Sequence, residues 1–202
     1  MGEGRDRREQ ILEAAFGEFS ERGFRGATIK GIAEAAGLQS PALIYWYFED
    51  KEALFREAIR SRVPLLQTIR DPEALLDRPP EEVLAEVGRA FFSTADATSS
   101  RQLLRLMIGE STHHPKVAEL FFQSGLGRAL RFLELYLERQ AELGRLRPHD
   151  ARSGARAFVG MLFVQMMGKA IVPQLLEGAP PDEDYLQDMV GIFLEGLRLE
   201  GR

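Results

Sequence analysis

Tyr45, Trp46 and Tyr47 stand in a row, a few positions after Ser40-Pro41 and just ahead of Asp50-Lys51. Successive residues of a helix point in different directions, so three adjacent rings cannot all enter one core. At least one must face solvent, and exposed rings beside polar helix caps mark a contact surface. Phe48, next in line, is the core member of the run. Phosphate contact depends on where the charges sit, and Arg5, Arg7, Arg8, Arg25, Lys30 and Lys51 could share one face. Tyr45 and Tyr47 are the stronger candidates; the larger ring of Trp46 could lie over the first helix instead.

Other chemistry-bearing groups are weaker. His113 and His114 are adjacent beside Pro115, and His149 is distant, so no metal site is expected. Asp182-Glu183-Asp184 has the composition of an acidic Mg²⁺ motif but better fits a helix start, where it caps and complements the dipole. No nucleophile elbow, phosphate loop or nucleotide-binding glycine fingerprint is present, so neither an enzyme nor a cofactor is expected. A helical metal-dependent enzyme acting on an apolar substrate is one alternative; a helical scaffold without DNA binding is another.

Helices must position the aromatic run. Residues 7–22 carry Ile11, Leu12, Ala15, Phe16 and Phe19 at helical spacing. Gly23 followed by Phe24 reads as a left-handed stop with its hydrophobic follower. Thr28 caps a second helix with Ile29, Ile32, Ala33 and Ala36 inward. Gly37 supplies a tight turn, Ser40 caps a third helix and Pro41 fills its first position, where a missing N–H costs nothing. Asp50 caps a fourth helix, which bends or ends at Pro64. Two short helices joined by a tight turn form a helix-turn-helix, the unit that lays its second helix in the DNA major groove.

Proline and glycine divide the remainder. A short helical piece follows Asp71-Pro72, and further helices are expected over 81–97, 100–112 and 116–143, the last loosened near Gly125 and Gly127. An apolar helix fits 150–177, interrupted by Pro173, and the final helix runs over 182–200. No segment shows strand alternation. The fold class is all-α, divided into residues 1–52 for DNA binding and 53–202 for the rest.

Bulk properties agree with an ordinary globular chain: 202 residues, 45% hydrophobic and 28% charged. With no cysteine, disulfides and thiolate metal sites are excluded. The charged N-terminus is unlike a signal peptide, and the most apolar run, 157–168, is far shorter than the roughly 20 residues of a membrane span. No membrane role is expected, and the location is expected to be cytoplasmic. The net charge of −5 is unusual for a nucleic-acid binder, so the cations must be locally grouped.

Thr28, Ile32-Ala33, Ala36-Gly37, Tyr45-Trp46-Tyr47-Phe48 and Lys51-Glu52 together resemble the signature of the tetracycline-repressor (TetR) family. The resemblance covers about residues 7–60. It implies that Thr28 contacts phosphate, that Lys30 reaches DNA, and that Tyr45 is the recognition-helix tyrosine. Trp46 and Tyr47 would touch backbone and sugar, and Lys51 would bind phosphate. Gln39, Ser40, Pro41 and Ala42 complete the candidate set. One departure is evident: Gly37 to Tyr45 holds one residue more than the commonest family spacing. A looser resemblance to a TetR C-terminal subgroup runs through 105–110 and 118–122.

A single short helix covers few base pairs, so two copies are needed for tight specific binding. The resemblance implies a homodimer through the last two helices, pairing at an intersubunit four-helix bundle. The apolar stretch 157–168 and the stripe Tyr185, Met189, Ile192, Phe193 and Leu197 have the composition for it. It also implies a repressor of a palindromic double-stranded DNA operator, released by a small, largely apolar effector. Candidate pocket residues are Phe91, Phe92, Met107, Phe121, Phe122, Phe132, Phe163, Met166 and Met167, with Gln165, Lys169, Glu110 or His113 as polar anchors.

Overall fold

The computed structural model describes residues 2–96, 98–111 and 115–199, and among these every regular element is a helix. The expected all-α architecture is therefore observed. The order is α1 (Gly2–Gly26), α2 (Ile29–Ala35), a 3₁₀ segment (Pro41–Trp46), α3 (Lys51–Arg62), α4 (Pro64–Thr68), α5 (Glu73–Leu76), α6 (Pro80–Asp96) and α7 (Thr98–Ser111). Then come α8 (Pro115–Ser124), α9 (Leu126–Glu142), α10 (Ala151–Ala170), a second 3₁₀ turn (Pro173–Leu176) and α11 (Asp182–Gly196). No helix among the described residues is long and apolar enough to cross a membrane.

Helix α1 carries its apolar stripe against α2 and α3, burying Ile11, Leu12, Ala15 and Phe19. At Gly23 the backbone turns to φ 69°, ψ 177°, so the helix breaks where the sequence placed its stop. The break lets Phe24 fold back onto Phe55, with ring centroids 5.2 Å apart, while Phe19 meets Phe55 edge-on at 4.9 Å. Ion pairs fasten the same junction: Arg8 to Glu57 at 2.8 Å and Arg62 to Glu9 at 2.7 Å. Helix α3 then stops at Val63, because Pro64 has no N–H to continue the ladder.

The larger helical body packs α4, α10 and α11 around α6, whose Val83, Leu84, Val87, Phe91 and Phe92 are buried. Gly88 of α6 lets α11 approach closely; a Cβ there would lie 2.3 Å from Cδ1 of Leu186. Buried Tyr136 of α9 donates to the Arg78 carbonyl at 2.9 Å, and burial raises its phenol pKa, so the hydroxyl stays protonated.

Three expected spans are corrected. The helix over 116–143 is two helices, parted at Gly125, and the Phe122 ring occupies the side-chain space at Gly127, 3.0 Å from where a Cβ would stand. The apolar helix ends at Ala170, and the 3₁₀ turn places Leu176 against Gly168. The last helix ends at Gly196, because Arg147 takes the carbonyls of Gly196 and Leu197 at 3.0 and 2.9 Å. Asp182 does not cap that helix; Pro181 holds the cap position and makes no side-chain cap bond. Asp182 instead pairs with Lys169 and accepts from Gln165 at 2.8 Å, while Lys169 also meets Asp96 at 2.7 Å. Burial pulls the Lys169 ammonium downward, but the two carboxylates outweigh it and its pKa is raised. Gln165 and Lys169 are thus committed to binding α6, α10 and α11 together, and are not spare polar anchors.

Candidate nucleic-acid interface and effector cavity

The recognition element is built from its caps outward. Thr28 Oγ1 accepts from the Gly31 N–H at 2.9 Å and starts α2, whose Ile32 and Ala33 are buried. The helix closes with Leu38 N–H to Ala33 O at 2.8 Å and Gly37 N–H to Glu34 O at 3.1 Å, around Gly37 at φ 64°. That pair of bonds is a Schellman stop, which needs a left-handed residue at the glycine position. Ser40 Oγ then accepts from Ala42 N–H at 3.3 Å, and Pro41 opens the next element. Asp50 accepts from Ala53 N–H at 2.6 Å and starts α3. All three cap assignments made from sequence hold in this geometry.

The element between these caps is a six-residue 3₁₀ helix rather than the expected α-helix. Its first bond, Leu43 N–H to Ser40 O at 3.2 Å, already has the i to i−3 spacing. Side chains three apart eclipse in such a helix. Ala42 and Tyr45 thus form one exposed row, while Ile44 is buried and Tyr47 is half-buried in line with it. Tyr45 is 54% exposed and Trp46 is 80% exposed, whereas Phe48 is sealed in the core. Trp46 does not lie over α1; it is the most exposed ring of the three, and Tyr47 is the one drawn inward.

Thr28, Lys30, Gln39, Pro41, Ala42, Tyr45 and Trp46 are exposed, and Ser40, Tyr47 and Lys51 are half-buried. Lys30 stands 3.8 Å from Glu34. The Lys51 ammonium donates to the Arg25 carbonyl at 3.5 Å and sits 4.8 Å above the Phe24 ring, which fixes it beside the end of α1. Arg8 departs from the expected basic face. It turns to Glu57 and lies over the Phe48 ring at 5.2 Å. The side chain of Arg5 lies outside the described residues.

One residue not foreseen from sequence supports this unit. Glu18 of α1 is 9% exposed beneath α2, with Arg22 at 3.2 Å from its Oε1. A Cβ on Gly31 would meet that oxygen at 2.5 Å, so α2 sits directly over a buried carboxylate. The absence of a side chain at Gly31 is the only sequence signal for it.

A cavity of about 110 Å³ lies at the foot of α3. Val63, Leu65 and Leu66 line it from the α3–α4 junction, Phe91 and Thr94 from α6, Leu104 from α7, Gly125 and Leu126 from the α8–α9 break, and Phe163 and Met166 from α10. Thr94 donates to Ala90 O at 2.9 Å, so its hydroxyl hydrogen is spent and the lining is effectively apolar. Phe91, Phe163 and Met166 are the expected residues found here. Phe92, Phe121, Phe122 and Met167 are not in the lining: Phe92 faces Tyr185 at 6.2 Å, and Phe122 is exposed against Gly127. Phe132 stacks on Tyr136 at 5.9 Å in the core. The side chains of Met107 and Glu110, and the whole of His113, lie outside the described residues.

Comparison with known proteins decides the family. Residues 11–58 match the N-terminal domain of bacterial regulatory proteins of the tetR family, and residues 82–195 match the C-terminal domain of AefR-like transcriptional repressors. The chain belongs to the TetR family. Over 162 residues it is 28% identical to the HTH-type transcriptional regulator BetI of Stenotrophomonas maltophilia, covering 77% of each chain. Among solved structures, a TetR-family regulator from Mesorhizobium loti superposes with a TM-score of 0.72 at 22% identity, covering 98% of this chain and 100% of the other. The SmeT–triclosan complex, SmeT being a repressor of S. maltophilia, gives 0.71 at 24% identity, covering 97% and 93%. This TetR-family chain is therefore a DNA-binding transcriptional regulator, with a helix-turn-helix at its N-terminus and a larger helical body behind it.

Proposed function

We propose that the chain represses transcription as a homodimer seated on a palindromic operator, and that a small, largely apolar effector in the α4 cavity releases it. The observation that carries this reading is the short helical element between capped α2 and capped α3, with Tyr45 and Trp46 held out in solvent. Lys30, Lys51 and the Thr28 cap flank it and supply phosphate contacts; Gln39, Ser40, Pro41, Ala42 and Tyr47 complete the surface. Residues 1–52 read DNA, residues 53–202 bind effector and dimerise, and α3 joins the two.

The faces of α10 and α11 support pairing. Ala157, Gly160 and Val164 recur at helical spacing on the outer face of α10, and Ile192 of α11 is 67% exposed. An apolar stripe of this kind on a single chain calls for a partner, and a two-fold copy buries it while setting two recognition elements about 34–36 Å apart. SmeT, with its bound triclosan, supports an apolar ligand in the same fold. An occupant pressing on Val63, Leu65 and Leu66 would move α4 and hence α3, shifting the population away from the spacing that fits DNA.

Selection of bound sequences from random duplex DNA tests the proposal. A palindrome whose half-sites lie one helical turn apart is expected, together with a dimer by sedimentation that Ile192→Asp weakens. An absence of sequence enrichment, or a wild-type monomer at micromolar concentration, overturns it.

A further inference from the structure

On the outer side of the α8–α9 break lies a second depression, a cleft of about 360 Å³ between α3 and the start of α9. Ala53, Arg56, Glu57 and Arg60 line it from α3, and Gln123, Ser124 and Arg128 from the facing helices. Two chain neighbours tie this cleft to the apolar cavity. Ser124 faces the cleft and Gly125 the cavity; Arg60 faces the cleft and Val63, one helical turn on, the cavity. The two spaces are thus adjacent along both elements that form them.

Their chemistry is opposite. The cavity is apolar, while the cleft holds three guanidinium groups against one carboxylate. That carboxylate, Glu57, is engaged by Arg60 at 2.7 Å and by Arg8 at 2.8 Å. Arg56 has only a 3.8 Å pairing with Glu52 one turn earlier, and exposed Arg128 makes no ion pair among the described residues. Ser124 Oγ donates to Leu120 O at 2.6 Å and Gln123 Nε2 to Glu119 at 2.9 Å, so both side chains have a donor engaged within α8. Planar guanidinium forks recognise carboxylate or phosphate by paired hydrogen bonds.

Building on the reading of the α4 cavity as the effector site, we propose that the effector is an amphipathic anion. Its apolar body sits in the cavity, and its acidic head is held in the cleft by Arg56, Arg60 and Arg128. The buried part is small, since a cavity of roughly 150 Å³ accommodates benzene. Because Arg56 and Arg60 belong to α3 and Arg128 to α9, the bound anion bridges the lever to the helical body. An apolar effector alone would touch only the foot of that lever.

Isothermal titration of the full-length protein with pentanoate and hexanoate, against pentan-1-ol and hexan-1-ol, tests this. Each acid is expected to bind roughly ten-fold tighter than its matching alcohol, the difference between a charge-assisted and a neutral hydrogen bond. In Arg56→Gln/Arg128→Gln the gap should shrink to about two-fold, with alcohol affinity unchanged. Both residues are surface-exposed with at most a weak pairing, so the variant should melt within a few degrees of wild type. Equal binding of acid and alcohol by the wild type overturns the inference, as does no binding of either series. Pyrophosphate binding as tightly as the acids also overturns it, because the cavity would then contribute nothing. A palindrome recovered from the DNA selection alongside any of these failures leaves the repressor reading standing.

Discussion

Gly88→Ala separates helix propensity from packing in a way that can be worked from distances. Alanine is more favourable than glycine inside a helix by about 0.8–1 kcal/mol. At position 88, however, the new methyl would stand 2.3 Å from Leu186 Cδ1 and 3.4 Å from Leu162 Cδ2. Leu186 must retreat by about 1 Å to reach ordinary contact. It is 1% exposed, and Leu162 is fully buried, so no open space receives it. Overpacking of this kind costs about 1–3 kcal/mol, which leaves a net destabilisation on the order of 1 kcal/mol. The melting temperature should fall by about 2–4 °C. Gly17→Ala in α1 is the control: nothing lies within 4 Å of its Cβ position, so the same change should stabilise. In a Leu186→Ala background the added methyl enters vacated space, and Gly88→Ala should become stabilising. Urea unfolding of wild type, Gly88→Ala, Leu186→Ala and the double variant gives the coupling directly. A Gly88→Ala protein that gains stability as Gly17→Ala does, or a coupling near zero, refutes the packing argument.

Three further outcomes are expected. Lys51→Gln removes one phosphate contact per protomer, so fluorescence anisotropy with operator DNA between 50 and 200 mM salt should show the log–log slope reduced by about 2 for the dimer; an unchanged slope removes Lys51 from the interface. Trp46→Ala should leave folding stability within about 0.5 kcal/mol while weakening operator binding roughly ten-fold, whereas Phe48→Ala should cost about 3–5 kcal/mol of folding; equal effects on folding would contradict their opposite exposure. The Asp150 carboxylate, which caps α10 by accepting from the Ser153 N–H at 2.6 Å, is held below the usual carboxylate range by the Ser153 hydrogen bonds. Its contribution is complete above the unfolded pKa and vanishes as pH falls through the lowered folded value. The melting gap between wild type and Asp150→Ala should therefore be constant from pH 7 to about 5 and close below about 4; a gap that widens in acid reverses the sign.

Local rules carried most of what the chain discloses. The Thr28, Ser40 and Asp50 caps and the Gly37 stop follow from residue type alone, because each satisfies a helix end within three or four positions. The split at Gly125 and the early end of α11 were less legible. Each depends on a partner far along the chain or on ring packing, namely Arg147 on Leu197 and Phe122 on Gly127. Pocket residues were the hardest. Phenylalanine and methionine drew the expectation, yet half the lining is aliphatic, from Val63, Leu65, Leu66, Leu104 and Leu126. Nothing in a leucine reveals whether it faces a void or another leucine. Gln165 and Lys169 looked available only because Asp96, 73 residues before Lys169, and Asp182 were not yet in place.

The acidic balance of the chain, −5 overall, finds its physical account in where the carboxylates point. Half-buried Glu57 pairs with Arg8 and Arg60, and exposed Glu9 pairs with Arg62, which locks α1 to α3. Glu18 lies beneath α2 rather than on its outer face. These acids stiffen the mount of the recognition element, while Lys30 and Lys51 stand at its two flanks. The same ion pairs set the surroundings of α3. It is fixed to α1 by ion pairs, to Phe24 at its start through Lys51, and to the cavity at its end through Val63. On the proposed reading, a helix fastened to the recognition element and ending at an apolar cavity would carry a small displacement from one end to the other. A flexible linker in its place would dissipate that displacement.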